Sequence, residues 1–302
     1  MKQNYSKNKA EKRKPENSFE VEKEAELLAF LLEKMPNKSR HNVKGFLTGK
    51  QVLVDGKIAK QYNYALKIGQ KVSIRDTKAP EEQRYRGLTI IFEDEYLIII
   101  EKQEGTLSIS TEKDALHNAY STLSDHVKKQ DPKNRIFVVH RLDRETSGLM
   151  MFAKSQKMQK LLQESWNATI EQRTYLAVVE GYVEKNRGTI KSYLVESKAL
   201  IVYSTKNREV GKEAITHYEV LAGTEDYTLL KVNLKTGRKN QIRVHFQDLK
   251  HSVVGDRKYG STSDPIGRLG LHAWVLSFTH PMTGEELYFE TEVPRKFLLL
   301  FS

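Results

Sequence analysis

The stretch His140-Arg141-Leu142-Asp143-Arg144-Glu145-Thr146-Ser147-Gly148 gathers guanidinium, imidazole and carboxylate groups into one short knot. Asp143 is the carboxylate set between the two arginines. A carboxylate kept ionised by such neighbours can act as a base or a nucleophile; the plainer alternative is a charged surface hairpin. The runs Phe137-Val138-Val139 and Leu149-Met150-Met151-Phe152-Ala153 on either side are apolar and read as short buried strands, with Gly148 closing the loop between them. Two more segments carry reactive groups. Arg173-Thr174-Tyr175-Leu176-Ala177-Val178-Val179-Glu180-Gly181 is a strand with a glycine stop, and residues 236–246 open a short helix. Ile242, Phe246 and Leu249 fall on one apolar face of that helix, and Arg243 falls off it.

Every fixed letter of the signature H-R-L-D-x-x-T-S-G-L is present at positions 140–149, and through it the chain resembles the RluA-like pseudouridine synthases, including the large-subunit, RluD-like members. The resemblance implies that Asp143 is the catalytic aspartate of an enzyme that detaches uracil from its ribose, rotates it and reattaches it through carbon. The 173–181 strand is similar to the family's second motif, with Arg173 where lysine is usual, and implies that Tyr175 stacks on the target base. Residues 236–245 are similar to the third motif, with Asn240 where the family has histidine. They are followed by Val254-Gly255-Asp256 and Tyr259-Gly260, and Arg243 is the expected partner of Asp143. Leu271-His272-Ala273 resembles the closing motif, and the resemblance implies that Leu271 is a candidate wall of the uracil pocket. Glu101-Lys102-Gln103 stands where the family has Asn-Lys-Pro. Arg141 and Arg144 are left two roles, clamping phosphates or filling the space that the flipped base vacates.

The implied reaction breaks one glycosidic bond and makes one carbon–carbon bond, so a single carboxylate in a closed pocket suffices and no cofactor is expected. A base inside folded RNA must be flipped out and held by stacking, which is work for an aromatic face such as that of Tyr175. A zinc mechanism finds no support: the nine histidines give no pair at helical ligand spacing with a third ligand, and cysteine is absent. A two-carboxylate glycosidase finds no second acid among the fixed letters of the three matched motifs.

Around these groups, 302 residues at 38% hydrophobic content suffice for a large domain and a small one. No apolar run approaches the roughly 18 residues of a membrane span, and the basic, polar N-terminus is no secretory signal. A cytoplasmic monomer is expected. The 50 Lys and Arg against 39 Asp and Glu, a net charge of +11, favour a polyanionic partner, with nucleic acid first. Residues 1–22 read as a basic disordered tail, with six Lys or Arg against one Glu in residues 1–14. Residues 23–76 carry two helices, the second capped by Ser39, and strands around the turn Asp55-Gly56. They resemble the ribosomal-protein-S-four-like RNA-binding module, with Ala25-Glu26-Leu27 where that module commonly begins Arg-Asp. Residues 77–88 read as a linker, with Pro80 among charges. Residues 89–302 are expected to form an α+β domain built on a mixed, mostly antiparallel sheet with an RNA cleft across it. A helix over 114–130, a helix capped by Ser155 with Met158, Leu161, Leu162 and Trp166 on its apolar face, and strands at 214–222 and 227–234 complete the pattern. The expected partner is ribosomal RNA, with transfer RNA as a second substrate class; a non-catalytic RNA-binding assembly factor of the same fold is the alternative.

Overall fold

The computed structural model describes residues 17–49, 51–59, 61–74, 83–109, 118–165 and 170–302. The basic residues 1–16, the first half of the expected linker, the start of the expected 114–130 helix and Trp166 lie outside the described residues. The chain forms two compact units, Met1–Glu81 and Glu82–Ser302.

In the first unit, strands β1 (Asn17–Glu20), β3 (Val52–Val54), β4 (Lys57–Ile58) and β6 (Lys71–Ile74) pair antiparallel in the order β1-β6-β3-β4. A two-stranded piece joins β2 (Ala25–Glu26) to β5 (Ala65–Leu66). Helices Leu27–Lys34 and Arg40–Thr48 bury Leu27, Leu28, Phe30, Leu31, Val43 and Leu47 against this sheet. Ser39 caps the second helix by accepting from the Asn42 amide. The expected tail ends earlier than residue 22. Phe19 lies edge-on to Phe30 and Val21 is fully buried, so their burial draws the segment into a strand. Asp55 and Gly56 both have positive φ, as a tight hairpin turn requires, and the Asp55 carboxylate accepts from the Lys71 amide and from Gln70.

The second unit is organised by one mixed sheet. Its strands are β7 (Gln83–Tyr85), β8 (Leu88–Glu93), β9 (Leu97–Lys102), β10 (Phe137–Val138), β11 (Ser147–Ala153), β12 (Ile170–Glu180), β13 (Arg187–Glu196), β14 (Val202–Thr205), β15 (Lys212–Gly223), β16 (Tyr227–Leu234), β17 (Leu271–Thr279) and β18 (Glu286–Glu290). The order is β14-β13-β15-β16-β12-β17-β11-β9-β8-β7, with β10 paired to β11 and β18 to β17. All pairs are antiparallel except β11 with β17. This is the mixed, mostly antiparallel α+β architecture expected from the sequence. Residues 83–88, expected within the linker, instead form a hairpin: Tyr85 packs against the helix Ala119–Gln130 and hydrogen bonds His126. The strands β13 and β18 had no counterpart in the sequence reading.

Helix Ala119–Gln130 begins in a capping box built by Asn118 and Ser121, and helix Gln156–Glu164 is capped by Ser155. Helix Gln241–Asp248 lays Ile242 and Phe246 against β12, β15 and β16, in one core with Ala177, Val179, Tyr218, Leu230 and Val232. Leu249, expected on that buried face, is exposed, because it stands past the last helical residue.

The parallel crossing of β11 and β17 sets the centre of the unit. β11 carries β9 along one edge, while its other edge holds β17 at Ser147 and Gly148 and β10 at Phe152 and Ala153. The sheet therefore parts beside β11, and the loop 139–146 turns back over the start of that strand. Gly148 has φ of +109°, and a Cβ there would lie 2.1 Å from the Ala273 carbonyl oxygen. Neither the dihedral nor the space admits a side chain. Gly148→Ala should therefore lose about 3 kcal/mol or more of stability, read as a lowered denaturation midpoint; a midpoint equal to the parent's would show that the two strands can separate at no cost.

Candidate active site

The loop that carries Asp143 is fixed from beneath. Lys102 at the end of β9 is fully buried, and its ammonium donates to the carbonyls of Gln103 (3.0 Å), Thr106 (2.7 Å) and Arg144 (3.0 Å). Burial lowers this ammonium's pKa to about 8, against the opposing pull of Glu145 and Asp143. Ser108 clamps Leu142 from both sides of its backbone, donating to its carbonyl at 2.7 Å and accepting from its amide at 3.1 Å. The Thr146 amide closes a turn onto the Asp143 carbonyl, and the Gly105 amide holds the Arg144 carbonyl. His140 accepts from the Met151 amide through Nε2, and burial, with Arg173 nearby, pushes its imidazole down to about 3. This backbone cage leaves the side chain of Asp143 partly open, with 31% of its surface exposed.

Facing Asp143 is Arg243, carried by the first turn of helix Gln241–Asp248. Its guanidinium makes four side-chain hydrogen bonds. Nε and Nη2 chelate Asp256 at 2.6 and 2.7 Å, while Nη1 donates to Asp143 Oδ2 at 3.1 Å and to Asn240 Oδ1 at 3.2 Å. The Tyr259 ring lies beneath it at 4.7 Å. Burial opposes the charge, but the Asp256 hydrogen bonds and charge outweigh it and raise the arginine's pKa above its ordinary value. The two carboxylates differ in access: Asp256 is 1% exposed and Asp143 31%. Asp256 is therefore the anchor of the arginine, and Asp143 the carboxylate that a substrate can reach. Among the described residues, Asp143 Oδ1 accepts no hydrogen bond.

Beside this pair, Tyr175 of β12 and Leu271 of β17 belong to one apolar cluster with Ile242 and Phe246. Burial raises the Tyr175 hydroxyl to about 12, and the charge of Asp143 adds to that rise, so ring and carboxylate share one electrostatic neighbourhood. Arg268 donates to Glu104 (3.0 Å), to Ser147 Oγ (2.7 Å) and to the Leu271 carbonyl (3.3 Å), joining the base of the Asp143 loop to the start of β17. Ser147 in turn bonds His272 Nδ1 at 2.7 Å, and His272 Nε2 bonds Thr291 at 2.7 Å.

Of the residues expected at the site, the fold brings Asp143, Arg243, Tyr175 and Leu271 together. Arg141 is exposed and forms no ion pair among the described residues. Asp256, Tyr259, Ser108 and Arg268 emerge as supports. Asp256 and Tyr259 stood in a recognised motif whose pairing was not legible; Ser108 and Arg268 gave no signal at all.

With this geometry, the comparisons define the class. A model of the RNA pseudouridylate synthase family matches residues 96–248, and one of the S4 domain matches residues 27–72. The chain belongs to the RNA pseudouridine synthase family and is an RNA isomerase. The RNA pseudouridine synthase YjbO of Bacillus subtilis is 34% identical over 239 residues, spanning 77% of this chain and 83% of its own length. Ribosomal large subunit pseudouridine synthase D of Escherichia coli is 30% identical over 297 residues, spanning 90% of this chain and 88% of its own. A solved human structure, RNA pseudouridylate synthase domain containing 4, shares the fold, with a TM-score of 0.57 over 70% of this chain and 90% of its own at 23% identity. Among the described residues no helix is long and apolar enough to cross a membrane, and no His, Asp and Glu cluster could hold a metal ion.

Three histidines of this unit are held neutral. Burial lowers His140 and His272 to about 3 and His245 to about 4, all below the ordinary 6.5. The unfolded chain therefore binds more protons than the folded one across the interval between these values and 6.5, so this stability is complete above pH 6.5 and is lost as the pH falls. Unfolding at pH 5.5 should take up about one proton for each, about three together, as the slope of unfolding free energy against pH. His272→Gln should remove about one of them; an unchanged slope would mean that His272 is already protonated in the folded state.

Proposed function

We propose that this isomerase converts uridine to pseudouridine in structured large-subunit ribosomal RNA, with Asp143 as its catalytic carboxylate. The observation that carries the assignment is the division of labour at Arg243. One edge of the guanidinium is locked onto buried Asp256, a donor of its remaining nitrogen reaches Asp143, and the other oxygen of Asp143 is uncommitted among the described residues. A carboxylate so aimed meets the needs of the reaction, whether it attacks the anomeric carbon or removes the ribose 2′ proton. The glycosidic carbon–nitrogen bond breaks, a bond from the anomeric carbon to C5 of the uracil forms, N1 gains a proton and the C5 hydrogen leaves to solvent. Tyr175 supplies the stacking face for the flipped base and Leu271 the opposing apolar wall, an interaction worth about 1–3 kcal/mol per base. Arg141, exposed on the same loop, contacts the RNA.

The substrate class rests on three supports. Relatives in Escherichia coli and Nitrosomonas europaea, 30% and 33% identical, are named ribosomal large subunit pseudouridine synthase D. The front unit matches the S4 family, and the chain's net charge is +11. In this reading the protein works as a monomer in the cytoplasm.

Asp143→Asn keeps size and local hydrogen bonding but removes the nucleophile and base, so it should abolish isomerisation while folding and RNA affinity stay near those of the parent. Glu145→Gln, in the same loop and exposed, should be close to neutral. The assay follows tritium released to water from RNA labelled at C5 of uracil. Comparable release by the Asp143→Asn protein would remove the catalytic assignment. Release from transfer RNA alone would change the substrate class, and no release by the parent from either RNA would favour a non-catalytic binding factor.

A further inference from the structure

Asn240 departs from local rules in two ways at once. It occupies the residue before the first turn of helix Gln241–Asp248, where an asparagine side chain ordinarily accepts from a backbone amide of that turn, and here it makes no such bond. Its backbone is also left-handed, with φ of +54°. What the conformation achieves is to spend both ends of the amide elsewhere: Oδ1 accepts from Arg243 Nη1 at 3.2 Å, and Nδ2 donates to the Tyr259 hydroxyl at 2.8 Å. Asn240 is 9% exposed and Tyr259 1%, so both bonds lie in a desolvated setting.

These two bonds grip the groups that bound Arg243. Tyr259 is the plate beneath the guanidinium, and its hydroxyl also accepts from the Val202 amide at 3.3 Å. Nη1 is the donor that reaches Asp143. Asp256 fixes the Nε and Nη2 edge, but a chelated guanidinium can still rock about the axis of that chelate. A second acceptor on Nη1 and a fixed plate below remove that freedom.

We propose that Asn240 is a positioning residue for the isomerisation: it holds Nη1 of Arg243 on Asp143 and seats Tyr259 beneath the guanidinium, at the position where the motif it resembles has histidine. The proposal rests on the catalytic reading of Asp143. Its chemistry separates the possible replacements. Alanine removes both bonds. Aspartate puts a second carboxylate on Nη1, in competition with Asp143, and removes the donor to Tyr259. Histidine tolerates the left-handed backbone better than most residues and offers one donor and one acceptor.

The experiment measures kcat and KM by C5 tritium release, RNA affinity, and the side-chain 15N resonances of Arg243 in the protein without RNA, for the parent, N240A, N240D and N240H. Asn240→Ala and Asn240→Asp should each lower kcat about 10- to 100-fold, with KM and RNA affinity within about twofold, the ordinary scatter of a group that is not a binding contact. Asn240→His should restore most of kcat. Distinct Nη1 and Nη2 signals of Arg243 in the parent should broaden or merge in N240A and persist in N240H. Unchanged kcat with unchanged Arg243 signals in N240A overturns the proposal, as does an equal fall in kcat and RNA affinity that histidine does not rescue. If the parent releases no tritium, the catalytic reading fails instead; the Arg243 signals then still decide whether Asn240 orients the guanidinium.

Discussion

Arg243 is a cation taken largely out of water, and the chelate it forms with fully buried Asp256 is what makes that position tenable. Two charge-assisted bonds in a fork consume one edge of the guanidinium and set the direction of the other. With Asn240 and the Tyr259 ring holding it against rocking about that edge, the remaining nitrogen points at Asp143. Most of the surrounding structure serves this arrangement. Helix Gln241–Asp248 buries Ile242 and Phe246 so that Arg243 emerges on the other side, and Tyr259 closes the underside. Replacing one member of such a buried pair ordinarily costs about 3–5 kcal/mol, because the other charge is left uncompensated.

The second half of the site is held by different physics. The Asp143 loop rests on backbone carbonyls captured by the buried Lys102 ammonium and on the two-sided clamp of Ser108. At its foot the strands β11 and β17 run parallel at a distance that glycine alone permits, and Arg268, Ser147 and His272 tie them together. Carboxylate and guanidinium thus come from supports a hundred residues apart in sequence, meeting at 3.1 Å. Preorganisation of this kind leaves little reorientation to be made when the reaction begins.

What was legible in the sequence follows from the range over which each signal acts. Alternating and helical apolar patterns are local, and they placed β11, β12, β15, β16 and the helix bearing Arg243. The signature resemblance located Asp143, Tyr175, Arg243 and Leu271, which the fold does gather. Pairings that depend on contact between distant segments were illegible. Nothing near Asp256 marks it as the anchor of Arg243, and Ser108 and Arg268 look like ordinary polar residues until the chain is folded. The tail and linker were drawn too wide because Phe19, Val21 and Tyr85 are single apolar side chains among charges. Their burial partners, Phe30 and the helix Ala119–Gln130, lie well along the chain. Asn240 gave a signal of the opposite kind, a departure from the family motif whose use became visible only in its left-handed backbone and its two hydrogen bonds.

The central claim is that Asp256 serves the reaction through Arg243 alone. It is tested most directly by comparing kcat for R243M with that for the double variant R243M/D256N. If Asp256 acts only by holding the guanidinium, the double variant turns over within about twofold of R243M. It is also more stable than R243M, since asparagine relieves the carboxylate left unpaired by the first substitution. A further loss of kcat in the double variant, comparable to that of D256N alone, would contradict the account.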